Sequence, residues 1–364
     1  MKTYGLLSLL VMSMSCFSIS CSSGKKQMSD ILSLPEYPIE AVQYNKEEII
    51  SKAPWEFHRI GENFFIFNGM PTSAALVFRM ADSHYMGEFI SKGMGPGECL
   101  TPRYAGCSSN EDTIYIFDSS KSKMTKFLFP KQTGDSLQYT LLDEIVSLQD
   151  NYHLATCRLA NGLTVASNAS GTRHLFSLYD VQMDSLCSFG SLPLPVEDDE
   201  LKNFLPFQGI MVSEGNTIYF GCKGLPYLCA YEVESKEKIR MLFQFSYLPV
   251  SYTYTDRISI DPNRSIESFR DIKIYGDYIW ATFLGNSLKS VLEDPNRNGY
   301  AETLLVFNKK GEPLAKFKLP HNGSHICFSK DGKELYYFTS DVNINVIQVK
   351  DLLGVLEPKR KEQK

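Results

Sequence analysis

The chain has no Cys-x-x-Cys pair, no basic stripe and almost no helical periodicity, and each absence removes a class of function. Its 37 Lys and Arg stand singly against 42 Asp and Glu, for a net charge of -5, so the continuous cationic face that a phosphate backbone requires is missing and nucleic acid is excluded as a partner. No Cys/His cluster has zinc spacing, which argues against a structural metal. There is no Gly-x-Ser-x-Gly elbow, no His-Glu-x-x-His and no Cys–His arrangement at a recognisable spacing, so no standard hydrolase nucleophile or zincin is written in the chain. Apolar residues at helical spacing occur only around Lys46 to Ser51 and in the C-terminal tail.

What is present begins with Met1-Lys2 and an apolar run from Tyr4 to Ile19 without further charge, followed by Ser20-Cys21-Ser22-Ser23-Gly24-Lys25-Lys26. This is the pattern of a secretory signal, too short and too rich in serine for a membrane-spanning helix. Ser18-Ile19-Ser20-Cys21 resembles a bacterial lipobox, with Ser18 where leucine is usual, and Cys21 is the expected lipidated N-terminus. Plain cleavage leaving Cys21 a free thiol and lipidation at Cys16 are the alternatives. The expected division is a signal over 1–20, a polar tether over 21–36, one domain over 37–355 and a disordered tail over 356–364.

Setting aside Cys16 and Cys21, seven of the nine cysteines remain, an odd number that leaves at least one unpaired. Cys222 and Cys229 are the best disulfide candidates if "CKGLPYLC" is a hairpin centred on Leu225-Pro226. The competing reading makes them small apolar core residues.

Beyond residue 60 the periodicity is that of strands. One kind of segment is aromatic and branched: "NFFIFN" (63–68), "TIYIFD" (113–118), "TIYFGC" (217–222), "DYIWATF" (277–283) and "ELYYFTS" (334–340). It alternates with hairpins leaving on a phenylalanine at 77–89, 177–189, 230–243 and 306–317, whose middles carry turn residues such as Asn308-Lys309-Lys310-Gly311. With "HLATCRLANGLTVASN" (153–168) as a further pair, six units emerge, about 57 residues each once the first 20 of 364 are set aside, against ~40 to 50 for the commonest propeller repeats. A four-stranded sheet buries both faces only by stacking on copies of itself, so the expectation is an all-β, six-bladed β-propeller, with seven blades as the competing count.

"FISKGMGPGE" (89–98), placed between a hairpin and "TIYIFD", resembles the signature of the TolB-like six-bladed β-propeller lipoproteins. That resemblance implies the propeller fold and a place in the cell envelope, anchored to the outer membrane, without an assigned reaction or catalytic residues. Within the tract, Gly93, Gly95, Pro96, Gly97 and Glu98 do not make a nucleotide loop: the spacing is wrong, no Lys-Ser/Thr follows, and Pro102 stands where a phosphate-binding helix would begin. Pro96-Gly97 suits the centre of a type II turn, with Glu98 free to accept N–H bonds from the loop it ends. "EDPNRNGY" (293–300) places Asp294, Asn296 and Asn298 like the first half of a calcium loop, but Leu305 occupies the position of its bidentate glutamate, so Ca2+ is a weak expectation and an Asx-rich turn the competing one. His321 and His325 are expected as loop histidines flanking a turn at Gly323, and the acids of 195–200 as a solvated loop.

Two functions fit. The first is a lipid-anchored envelope module that binds a protein or glycan partner and catalyses nothing. The alternative is a calcium-dependent hydrolase or lactonase, or a lyase, with its site at the central channel, which requires several polar side chains from different blades to converge there.

Overall fold

Continuous apolar strands form where both faces of a sheet are covered, and that is where they are found. Asn63–Phe67, Thr164–Asn168 and Tyr278–Phe283 bury every residue, so their branched and aromatic side chains run without the alternation of a half-exposed strand. The computed structural model describes residues 29–45, 49, 54–68, 70–129, 134–146, 153–168, 174–194, 207–247, 251–254, 258–293 and 300–362.

Four antiparallel four-stranded sheets follow one another along the chain. The first comprises Glu56–Ile60, Asn63–Phe67, Ser73–Arg79 and Tyr85–Ser91; the second Pro102–Cys107, Thr113–Asp118, Lys123–Leu128 and Thr140–Val146. The third comprises His153–Arg158, Thr164–Asn168, His174–Tyr179 and Ser185–Ser191; the fourth Gly209–Glu214, Thr217–Cys222, Tyr227–Val233 and Ile239–Ser246. Tyr252–Tyr254 and Ile258–Ile260 form a two-stranded sheet of their own, and the remaining strands join an eight-stranded sheet that starts at Phe269–Tyr275, continues through Tyr278–Phe283, Ala301–Asn308, Pro313–Phe328, Glu334–Thr339 and Ile344–Gln348, and ends on the N-terminal Val42–Gln43. Glu36–Pro38 adds in parallel against Lys316–Lys318.

The arrangement is that of a propeller. The first strand of each sheet neighbours the first strand of the next: 56–60 lies beside 102–107, then 153–158, 209–214 and 269–275, and Pro313–Phe328 returns the ring to 56–60. Apolar side chains fill the wedges between sheets. Phe65, Phe89, Phe127 and Phe129 pack between the first and second, and Phe176, Phe189, Phe220 and Tyr231 between the third and fourth, with edge-on rings such as Phe65–Phe129 at 5.1 Å and Phe176–Phe220 at 5.2 Å. Each fully buried ring of this kind stabilises the fold by about 1.5–3 kcal/mol relative to exposure. The ends of the chain meet where Val42 and Gln43 pair with Val346 and Asn345, and Asn45 Oδ1 accepts the Ile344 N–H at 2.7 Å.

Two boundaries differ from those read in the sequence. The segment expected as free tether up to residue 36 is docked from Ser29 onward, because a helical turn Ser29–Leu32 inserts Ile31, 1% exposed, among Tyr219, Leu228, Phe243 and Phe269. The tail expected to be disordered from 356 is instead the end of a helix, Val349–Glu362, whose Val349, Leu352 and Leu356 are buried against the last strands. Its spacing of apolar residues, three and four apart, supplies the helical stripe. Among the described residues no helix is long and apolar enough to cross a membrane.

Candidate functional site in the axial channel

The axis-facing strands carry polar side chains where the strands behind them carry aromatic ones. Glu56 and His58, Arg103 and Tyr104, Thr156, and Asp271 and Lys273 come from four different sheets. Together with Lys223 and His325 they line one cavity of about 70 Å³. At roughly 10–15 Å³ per enclosed water, this is room for a few waters or one small polyatomic group.

The carboxylates of the channel are already engaged. Glu56 Oε2 accepts the Tyr104 N–H at 3.0 Å and meets His58 Nε2 at 3.3 Å, while Oε1 lies 3.8 Å from Arg103. Burial alone would raise the Glu56 carboxyl, but the hydrogen bond from His58, the Arg103 charge and the Tyr104 N–H outweigh it and hold it below its ordinary value. His58 is itself depressed by burial and by the charge of Lys273, which makes it a neutral donor to Glu56. Asp271, 1% exposed, accepts from Ile272 N, Ile326 N and Lys273 Nζ, each at 2.9 Å. The Ile326 bond crosses to Pro313–Phe328 and so fastens two axis-facing strands together. A calcium ion would find no free pair of carboxylate oxygens here.

The cations are less fully matched. Among the described residues Arg103 pairs with Glu56 and Lys273 with Asp271, but Lys223 and Arg270 form no ion pair. Arg270 spends one nitrogen on the Pro54 carbonyl at 3.4 Å. Its Nε, the Nε of Arg103, the indole N–H of Trp55 and both ring nitrogens of His325 are buried with no hydrogen-bond partner among the described residues. The Arg103 guanidinium lies 5.6 Å from the centre of the Trp55 ring. Burial, then the charges of Arg270 and Arg103, push the Lys223 amine down to about 7, and burial with Arg270 and Lys223 holds His325 well below the ordinary imidazole value. Glu267, whose carboxyl is raised by burial, feels the charges of Arg270 and Lys223. The channel therefore offers surplus donors and positive charge, and beside them one buried acceptor without a hydrogen bond, Glu267 Oε2.

Apart from His325, none of these side chains stands out in the sequence, although a signal exists: two of the aromatic strands are preceded by short segments, "EFHRI" and "FRDIKIY", in which charged or titratable residues recur at alternate positions. The expectation of His325 as a loop residue is corrected. Gly323 is not in a turn but inside the 16-residue strand Pro313–Phe328, where a Cβ would come within 2.8 Å of the Tyr337 ring. The glycine serves a close approach of strands, and His325, 2% exposed, is carried to the axis while His321 stays at the surface.

The glycine tract lies away from the channel cavity, on the connection from Tyr85–Ser91 to Pro102–Cys107. Pro96 and Gly97 are the central residues of a β-turn closed by the Glu98 N–H on the Gly95 carbonyl at 3.1 Å, and Gly97 has φ +71°. Glu98 turns back to accept the Gly95 N–H at 2.7 Å, and the Gly97 N–H donates to Glu144 at 3.0 Å. A Cβ on Gly93 would fall 2.1 Å from Glu98 Oε2, which is why the residue beside the carboxylate is a glycine. Lys121 Nζ donates to the carbonyls of Gly93 at 2.7 Å and Glu98 at 3.2 Å, and Lys123 pairs with Glu144. Glu98 is thus used within the loop, while the Lys92 ammonium lies 5.2 Å from the centre of the Trp55 ring.

The disulfide expectation is also corrected. Cys222 and Cys229 are free, buried thiols. Their ladder pairs Phe220 with Cys229 and Gly221 with Leu228, so the hairpin is centred between Gly224 and Leu225, one residue before the expected centre, and the two cysteines are not opposite each other. Cys21, the acidic run 195–200 and the calcium-loop candidates Asp294, Asn296 and Asn298 lie outside the described residues. Among the described residues no three His, Cys, Asp or Glu side chains form a metal-holding group.

No family model and no curated protein matches the chain. Among solved structures it is similar to a member of the DUF4221 family from Bacteroides vulgatus, with a TM-score of 0.54 and 10% identity over 86% of this chain and 97% of that one. It is also similar to a candidate exported protein from Bacteroides fragilis, with a TM-score of 0.52 and 10% identity over 85% and 94%. At such identity the likeness is one of fold. BamB from Moraxella catarrhalis aligns over 84% of this chain and 87% of its own with 13% identity, but its TM-score of 0.40 is too low to carry an argument.

Proposed function

We propose that the chain is a binding module of the cell envelope: a six-bladed propeller, lipid-anchored at Cys21 to the outer membrane, that engages a protein or glycan partner at the mouth of its axial channel. The observation that carries this reading is the convergence of charged side chains from separate sheets on one axial cavity. A fold gains nothing in stability from gathering half-matched cations at its centre, so the gathering points to a ligand. The blade count rests on the ring of axis-facing strands, with the eight-stranded sheet supplying two blades that share Pro313–Phe328. The envelope location rests on the signal-like N-terminus, on the likeness of "GMGPGE" to the TolB-like lipoproteins, and on the exported character suggested for the Bacteroides fragilis neighbour.

The test combines fractionation with capture. The full chain expressed in a diderm bacterium should sediment with outer membranes, and Cys21→Ala should release it to the soluble envelope fraction. Crosslinking in that host should capture a defined partner, and Arg103→Glu at the channel should abolish the capture while leaving membrane attachment intact. Unchanged attachment of Cys21→Ala refutes the anchor, and capture indifferent to Arg103→Glu refutes the channel as the binding surface.

A further inference from the structure

We infer that the axial channel is an oxyanion site, in which Lys223 and His325 on the cavity wall, backed by the charge of Arg270, receive a single carboxylate or phosphate group. This deepens the binding-module reading and rests on its placement of the ligand at the axis. Three independent observations converge on it.

The first is charge. Arg103 and Lys273 have carboxylate partners at 3.8 and 2.9 Å, whereas Lys223 and Arg270 have none among the described residues. Two cations held near each other without a counter-ion repel, and an entering anion relieves that repulsion as well as making new bonds.

The second is the set of unused donors. Arg103 Nε, Arg270 Nε and Trp55 Nε1 are buried N–H groups without acceptors, and His325 has two unpartnered ring nitrogens of which at least one carries a proton. Leaving a buried donor unmatched costs about 1–3 kcal/mol. The donors of Arg103, Trp55 and His325 belong to residues that line one cavity and are matched together by the oxygens of one anion, and guanidinium groups suit carboxylate and phosphate oxygens in particular.

The third is size and shape. The cavity of about 70 Å³ admits a small anionic group but not a sugar ring or a peptide segment. A larger ligand would therefore present one acidic group to the axis and keep its bulk outside. A divalent cation is disfavoured by the same geometry, since the oxygens of Glu56 and Asp271 are already engaged.

Titration calorimetry of the full chain tests the inference with sodium phosphate and sodium acetate as probes, at ionic strength held constant with chloride. Saturable binding of phosphate with no response to acetate assigns a phosphate group, and binding of acetate assigns a carboxylate. Lys223→Met, which preserves length and leaves untouched the residue's backbone bonds to Gln208 and Ser268, should weaken the bound probe at least ~10-fold, the loss of one charge-assisted hydrogen bond. Lys223→Arg should restore it. Circular dichroism and melting confirm that both variants fold. If neither probe binds, or if Lys223→Met binds as the parent does, the oxyanion site is overturned. In that event a partner still captured in an Arg103-dependent way leaves the binding-module reading standing, so the two failures are separable.

Discussion

Replacing Asp271 by alanine strips one carboxylate from beneath three donors at once. Asp271 is almost wholly buried, and the Ile272 N–H, the Ile326 N–H and the Lys273 ammonium all point at it from 2.9 Å. Alanine leaves two buried N–H groups unmatched, at about 1–3 kcal/mol each, and a largely buried ammonium without its counter-ion. Breaking a buried pair by removing one partner typically costs 3–5 kcal/mol in all, and about that much is expected here. Asp271→Asn would keep one acceptor and lose the charge, for a cost of roughly 2 kcal/mol. Lys273→Met alone should cost less than Asp271→Ala, because the carboxylate retains its two N–H partners. The double variant Asp271→Ala/Lys273→Met should then recover part of the loss, giving a coupling of about 1–3 kcal/mol. Urea unfolding followed by tryptophan fluorescence reads these values, since Trp280 stands on the strand paired with 269–275. Strict additivity of the two substitutions, or a loss below about 1 kcal/mol for Asp271→Ala, refutes the claim that this carboxylate fastens two axis-facing strands.

Gly97→Ala should cost about 1 kcal/mol, because φ is +71° while the added methyl meets Leu141 only at an ordinary 3.5 Å; Gly97→Asn should cost less, and equal melting temperatures for the parent and both variants would show that backbone strain does not govern the turn. His153, hydrogen-bonded to Tyr179 at 2.6 Å and pushed by burial down to about 4, stays neutral in the fold while the unfolded chain takes up a proton near 6.5. Its contribution is intact above about pH 6.5 and falls away as the pH drops toward 4, by roughly 3 kcal/mol in all. Unfolding titrations of His153→Gln should show a flatter slope over that window, and an unchanged slope counts against the assignment. Alkylation in denaturant without reductant should modify both Cys222 and Cys229; protection of the pair until dithiothreitol is added would restore the disulfide.

The all-β class was legible because an aromatic strand covered on both faces leaves an unbroken apolar run, as in "TIYIFD" and "TIYFGC", whose strands span the quoted residues. The site was not, for a physical reason. Glu56, Arg103, Lys223 and Asp271 are scattered over more than two hundred positions, and only closure of the ring brings them to one cavity. On a single strand each reads as an ordinary exposed charge. Gly323 misled in a related way: sequence reports a missing side chain, and only the neighbouring Tyr337 tells whether the gap serves a bend or a close approach. Helical spacing in the tail was visible, but the docking of residues 29–36 and of the final helix was not, because one buried Ile31 or a short Leu352/Leu356 stripe is too little signal to mark a docked segment.

The pairing of Val42 and Gln43 with Asn345 and Val346 also dictates when the molecule can finish folding. A chain threaded N-terminus first through a narrow passage releases its earliest strand long before the partner of that strand exists on the far side. The sheets between can form one by one as they emerge, since each is local in sequence, but the outer seam stays unlatched until the last strand arrives. Completion is thus timed by the final residues to appear. A truncation that removes 344–348 would leave a chain with almost all of its sheets, closed at the axis by Pro313–Phe328 against 56–60 but with an unlatched seam at the rim.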